Sequence, residues 1–273
     1  MKKTIISIFA AVIALSPCQP LDLVSTYQVA SSNVWGKATL ARQAVNGIYN
    51  EFYTRSSTTV NEDNWNVMYE AYSSVMDTDK NWYENQKVCY GNGTPSSGTF
   101  SEMYKYYYTF VFRANDAITH IDQVPDMDAS EKAKLKAEAK FLRAYGYMNL
   151  NVLYRGVPLY LEYIEDASKA NRPRSTEKEV WEAIIKDLTD CVEEEALPDR
   201  YLAGSQDYGR VSKGVALAYR GQAYQWMAAR SGEDPRHYIE LALADYEALE
   251  GLGYALYTGD GANSFKTLLK PAN

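Results

Sequence analysis

Apolar positions along this chain recur at helical spacing in nearly every periodic segment. Ala38, Ala41, Val45, Ile48 and Phe52 step 3-4-3-4, behind Ser31-Ser32-Asn33, which offers an N-cap. A second helix is expected at about 65–76, a third at about 101–122, and a fourth at about 130–154 behind the turn Asp126-Met127-Asp128-Ala129-Ser130. In the fourth, Phe141, Tyr145, Met148 and Val152 form one stripe and Leu142, Gly146, Asn149 and Leu153 the next. So wide an apolar face predicts burial against two neighbours, with Ala139, Ala144 and Gly146 allowing close approach. Gly156 and Val157-Pro158 end it, because glycine permits a left-handed closing residue and proline disfavours helix before itself.

After an irregular linker at 160–175, Ser175-Thr176 with Glu179 signals a capped helix at about 176–195. Two more are predicted at about 212–230 and 235–250. The last opens at Asp234-Pro235, with Ile239, Ala242, Tyr246 and Leu249 facing inward. No strand pattern is evident. The fold class read from this pattern is all-α, with tetratricopeptide-like antiparallel helix pairs of roughly 34–40 residues and long irregular loops.

The N-terminus follows a different logic. Lys2 and Lys3 precede a short apolar run from Ile5 to Leu15, which reads as a secretory signal too short to span a bilayer. Leu15-Ser16-Pro17-Cys18 then resembles a lipobox, although Pro17 departs from the small residue usual at that place. We expect residues 1–17 to be a lipoprotein signal peptide and Cys18 to be lipidated. Cleavage would take the net charge from −7 to −9, which argues against nucleic acid or anionic lipid as a partner and leaves the lipid anchor as the only membrane attachment. Cys89 and Cys191 remain, without a CxxC pair, and are expected as free thiols.

A search for catalytic chemistry is largely negative. His120 and His237 stand singly in helical segments, and no metalloprotease, phosphate-loop, nucleophile-elbow or dinucleotide motif occurs. No enzyme, cofactor or metal centre is expected. Asp77, Asp79 and Asn81 copy only the opening of a calcium loop, with Trp82 and Val88 at two of its required positions. Glu193-Glu194-Glu195 reads as a solvated helix end. Tyrosine is the compositional outlier, at 24 residues with 5 Trp beside it, and most of it is expected in helix packing. The long polar loop 77–100 concentrates the rest. Trp82, Tyr83 and Tyr90 offer flat faces for sugar C–H groups, and Asp79 and Asn81 offer hydroxyl partners. These five are the candidate glycan contacts, set against the simpler reading in which the rings pin the loop.

The stretch "EAKFLRAYGYMNLNVLYRGVPL" resembles the signature of SusD-like (RagB/SusD) outer-membrane lipoproteins. Four further stretches match in order: "WGKATLARQAVNGIYNEFY", "YYYTFVFRANDAITHID", "RSTEKEVWEAIIKDLTDCVEE" and "GRVSKGVALAYRGQAYQWMA". The resemblance implies a helical scaffold anchored by lipid on the cell surface. It implies a non-enzymatic protein that binds oligosaccharide, polysaccharide or another nutrient beside a SusC-like TonB-dependent transporter. Family members are roughly twice as long. Residues 18–273 are therefore expected to correspond to the family's N-terminal helical domain, as a fragment or the product of an interrupted gene. A helical-repeat scaffold for proteins, without glycan affinity, and a glycoside hydrolase are the alternatives.

Overall fold

Among the described residues, six α-helices and no strands form, close to where the apolar spacing puts them. They are α1 (Ala38–Ser57), α2 (Gly98–His120), α3 (Ala129–Tyr154), α4 (Glu177–Glu193), α5 (Lys213–Arg230) and α6 (Pro235–Gly251). The computed structural model describes residues 34–57, 90–230, 232 and 234–264. The chain divides into Met1–Val34 and Trp35–Asn273, and all six helices belong to the second unit.

Cross-helix partners give the direction of each pairing. Between α2 and α3, Asn115 meets Arg143 while Tyr154 reaches back to Phe100. Between α3 and α4, Lys140 meets Asp190, Arg143 meets Asp187 and Asn151 meets Glu177. Between α4 and α5, Arg220 meets Thr189 and Arg230 meets Glu177. The partners climb one helix as they descend the next, so α2 to α5 run antiparallel in sequence order, and α6 packs on α5. This is the tetratricopeptide-like arrangement expected from the sequence. α1 instead runs parallel to α3, since Arg42 meets Glu131 and Tyr49 meets Glu138.

Local sequence sets most helix ends. Asp128 caps α3 by accepting from the Glu131 N–H at 2.9 Å. Thr176 and Glu179 form a reciprocal capping box on α4, and Asp234 caps α6 ahead of Pro235. α1 departs from expectation. Ser31 to Asn33 lie outside the described residues, and the N–H of Ala38 is met by the distant Asp126 carboxylate at 2.6 Å. α3 closes through Arg155 in the left-handed region (φ 52°), followed by Gly156 (φ 90°), so arginine takes the position expected of glycine. α2 starts three residues earlier than its spacing suggested, at Gly98.

α3 is the hub. Of its two predicted stripes Phe141, Leu142, Gly146 and Met148 are buried, Tyr145, Asn149, Val152 and Leu153 are half-buried, and the helix packs on α1, α2 and α4. A Cβ on Gly146 would lie 2.8 Å from the Tyr107 carbonyl and 3.1 Å from Phe110 Cβ, which accounts for glycine in mid-helix. The free Cys191 is buried and donates to the Ala137 carbonyl, while Cys89 lies outside the described residues. Glu138 is buried and shared by Arg210 and the Tyr49 hydroxyl, fastening the α4–α5 loop to α1 and α3. On α6, Ala242 and Asp245 turn inward. Of the stripe expected inside, Ala242 is buried and Tyr246 and Leu249 are half-buried, while Ile239 is exposed, as is Leu243; the Arg220–Asp245 ion pair ties this face to α5. Among the described residues no helix is long and apolar enough to cross a membrane.

Candidate functional site

Beyond α3 the chain follows an irregular path, yet it is firmly held. Every carbonyl from Tyr154 to Leu161 has a donor. Arg174 serves Tyr154, Arg155 and Gly156. The Ser175 N–H serves Val157 at 3.2 Å, the Tyr108 hydroxyl serves Pro158 at 2.6 Å, and Arg172 serves Leu159 at 3.1 Å. Asn115 and the Tyr147 hydroxyl both donate to Tyr160, at 2.7 and 3.0 Å, and Arg143 donates to Leu161 at 2.9 Å. Buried backbone needs such partners, and here side chains of α2, α3 and the 171–175 segment, with the Ser175 N–H, provide them in place of regular secondary structure.

The anchor behind these donors is a buried ion pair. Arg143 grips Asp187 through two hydrogen bonds of 2.8 and 2.7 Å and holds the Asn115 amide oxygen at 2.7 Å. Burial pushes the Asp187 carboxyl up, against the pull of Arg143; the guanidinium is held above its ordinary value by Asp187 in spite of burial. Burial also raises the Tyr108 and Tyr147 phenols, so both stay protonated and available as donors.

This scaffold sets the Tyr160 ring beside the outward face of α2. There an open groove of about 270 Å³ is lined by Tyr104, Lys105, Tyr108, Thr109, Phe112 and Tyr160. Tyr104, Tyr108 and Phe112 follow one another every four residues, with ring centroids 4.7 and 5.6 Å apart. Tyr160 meets Tyr108 edge-on at 5.8 Å and Phe112 at 5.4 Å. Tyr154 supports Tyr104 edge-on at 5.3 Å, and the Tyr160 hydroxyl is tied to the Ala170 carbonyl. Tyr108 and Tyr160 form a mostly buried floor. Phe112, 44% exposed, and the half-buried Tyr104 present the accessible ring surface. The groove can take the apolar face of a flat ligand and offers hydroxyl and amine groups at its edge.

None of these six residues was singled out from sequence. They fall within or near the stretch "YYYTFVFRANDAITHID" and its exit partner. The available signal was angular. At 100° per residue, the aromatics from Tyr104 to Phe112 sweep roughly two thirds of the helix circumference, more than one buried face needs. Of the expected contacts, Asp79, Asn81, Trp82 and Tyr83 lie outside the described residues, as does Cys18. Tyr90 is 58% exposed in the turn leading to α2 and does not line the groove. Among the described residues no cluster of three or more metal-ligating side chains occurs. His120 is engaged within its helix by Asp116 and stacked against Trp35.

A family model described as starch-binding and associating with the outer membrane matches residues 24–225. The chain belongs to the SusD-like family. That family is described by what it binds. Two curated SusD-like proteins of Formosa agariphila are 31% and 32% identical over 158 and 130 residues, covering 56% and 47% of this chain and 29% and 24% of theirs. Among solved structures, a SusD-like protein of Bacteroides fragilis has 24% identity and a TM-score of 0.64, over 90% of this chain and 44% of that one. A laminarin-binding SusD-like protein has 25% identity and a TM-score of 0.65, over 84% and 50%. Surface glycan-binding protein A of Bacteroides thetaiotaomicron, in complex with laminarihexaose, has 19% identity and a TM-score of 0.63, over 81% and 44%. The chain thus spans at most half the length of these relatives, and the low identities to the solved structures speak to fold.

Proposed function

We propose that this chain is the N-terminal helical part of a cell-surface SusD-like lipoprotein that binds glycan for nutrient uptake. The aromatic groove on α2 carries the proposal, because it places stacked rings on a rigid SusD-like scaffold. Sugar rings would lay their C–H faces on Phe112 and Tyr104, while Thr109 and Lys105 meet hydroxyls at the rim. The backbone beside the groove is held by its own hydrogen bonds, which spares much of the entropy that a loose site loses on binding. Laminarin and laminarihexaose binding by relatives of the same fold supports a glycan ligand. Asp79, Asn81, Trp82, Tyr83 and Tyr90 are proposed as a second set of contacts on the segment preceding α2.

Residues 1–17 are proposed as the signal peptide and Cys18 as the lipid anchor. Residues 18–273 form the helical domain, held at the outer membrane beside a SusC-like TonB-dependent transporter. The family's outer-membrane association supports this setting.

Calorimetry of the full chain against a panel of oligosaccharides tests the reading. An aromatic platform contributes on the order of 1 kcal/mol, so Phe112→Ala should weaken binding about five- to tenfold with the fold preserved. Absence of binding across the panel rejects glycan recognition. Binding that survives Phe112→Ala and is lost in Trp82→Ala moves the site to the preceding loop. Metabolic labelling with an alkyne fatty acid should tag the wild type and spare Cys18→Ser; equal labelling removes the anchor.

A further inference from the structure

The rim of the groove carries cations, and each is already matched by an acid. Lys105 Nζ donates to Glu102 Oε1 at 2.8 Å. Arg172 lies over the Tyr160 ring at 5.2 Å, is paired with Glu162 and donates to the Leu159 carbonyl. The cations thus serve as structural partners of acids and carbonyls. The lining itself is four aromatic rings, a threonine and Lys105.

We infer that the groove selects uncharged glycans and discriminates against sulfated or uronate-bearing ones; this rests on the glycan reading above. Three physical terms point the same way. An anionic substituent entering the groove would lose hydration against ring faces and gain no unmatched cation in return. The faces of aromatic rings carry negative potential, which repels anions and favours C–H groups. Glu102 and Glu162 stand beside the cations that an anion would seek, in a chain whose net charge is −7. A neutral sugar meets none of these penalties and keeps the stacking.

Matched pairs of polysaccharides decide the matter: laminarin with laminarin sulfate, dextran with dextran sulfate, and soluble starch with carboxymethyl starch, each titrated with the full chain. In a pair that binds, the neutral member should bind at least tenfold tighter at about 10 mM salt. The gap should narrow toward physiological salt, as the repulsion is screened. The double variant Glu102→Gln, Glu162→Gln should leave neutral binding within twofold and strengthen the anionic member several-fold. An anionic member that binds as tightly as its neutral partner, or tighter, overturns the inference and leaves the glycan reading standing. So does an anionic affinity that the double variant fails to raise, since the discrimination would then lie outside the groove. If neither member of any pair binds, the glycan reading itself falls.

Discussion

α2 has two aromatic faces made of nearly the same residues, with opposite fates. Its inner face carries Tyr106, Tyr107, Phe110 and Val111, all buried against α1 and α3. Its outer face carries Tyr104, Tyr108 and Phe112, which line an open groove. The inner rings are packed by whole helices. Phe110 contacts Phe52 and Tyr145, and Tyr107 lies where α3 approaches closest, at Gly146. The outer rings are covered more thinly, by the segment 157–161 and by Tyr147 and Tyr154 of α3: Tyr108 is closed over as a floor, while Tyr104 and Phe112 keep exposed ring surface. Aromatic content therefore does not separate core from site. The covering element does, and a thin, hydrogen-bonded segment leaves ring surface for a ligand where a helix would have consumed it.

Truncating the inner face should have the largest effect. Phe110 is fully buried, so Phe110→Ala should cost about 3–5 kcal/mol in denaturant unfolding. A loss below about 1 kcal/mol would show that the inner face is loosely packed and erase the contrast. Gly146→Leu acts on the same interface from the other side. The Tyr107 carbonyl already sits 2.8 Å from where a Cβ would be, and overpacking should cost about 1–3 kcal/mol. An unchanged unfolding midpoint would mean that α2 and α3 can separate freely. The outer face should respond least in stability. Phe112→Ala is expected to change unfolding by no more than about 1 kcal/mol, because nearly half of the ring is already in water. Its effect should appear in glycan affinity instead. A stability loss comparable to that of Phe110→Ala would make the groove an extension of the core.

The fold was far more legible in the sequence than the groove. Six of the predicted helices appear with ends shifted by a few residues, and the wide face of α3 was readable from two adjacent stripes. Helix signals are local: a cap such as Thr176 with Glu179, or Asp234 before Pro235, acts within one turn, and amphipathic spacing acts within a few. The groove depends on contacts between residues far apart in the chain. Tyr108 donates to Pro158, and Asn115 to Tyr160, across separations of 50 and 45 residues. Arg143 looks like an ordinary charged position within an apolar helix until Asp187, Asn115 and Leu161 are placed around it. Ile239 failed for the same reason: its spacing fits the stripe on which Ala242 is buried and Tyr246 and Leu249 are half-buried, yet the packing leaves Ile239 itself 50% exposed.

The sequence by itself determined an all-α fold class, the order and approximate extent of the helices, the wide apolar face of α3 and the close approach at Gly146. Each follows from periodicity, caps and side-chain volume, which are properties of neighbouring residues. Only the tertiary structure decided which of α2's aromatics form core and which form a groove. It also made Arg155, rather than Gly156 alone, close α3 in the left-handed region, and it routed 157–161 along α2. The physical reason is that a stripe's spacing records that it is apolar, whereas its exposure depends on what packs over it. Here that covering is thin because its carbonyls are satisfied by side chains from α2, α3 and the 171–175 segment, with the Ser175 N–H, which lets an irregular segment take a place that a helix would otherwise fill.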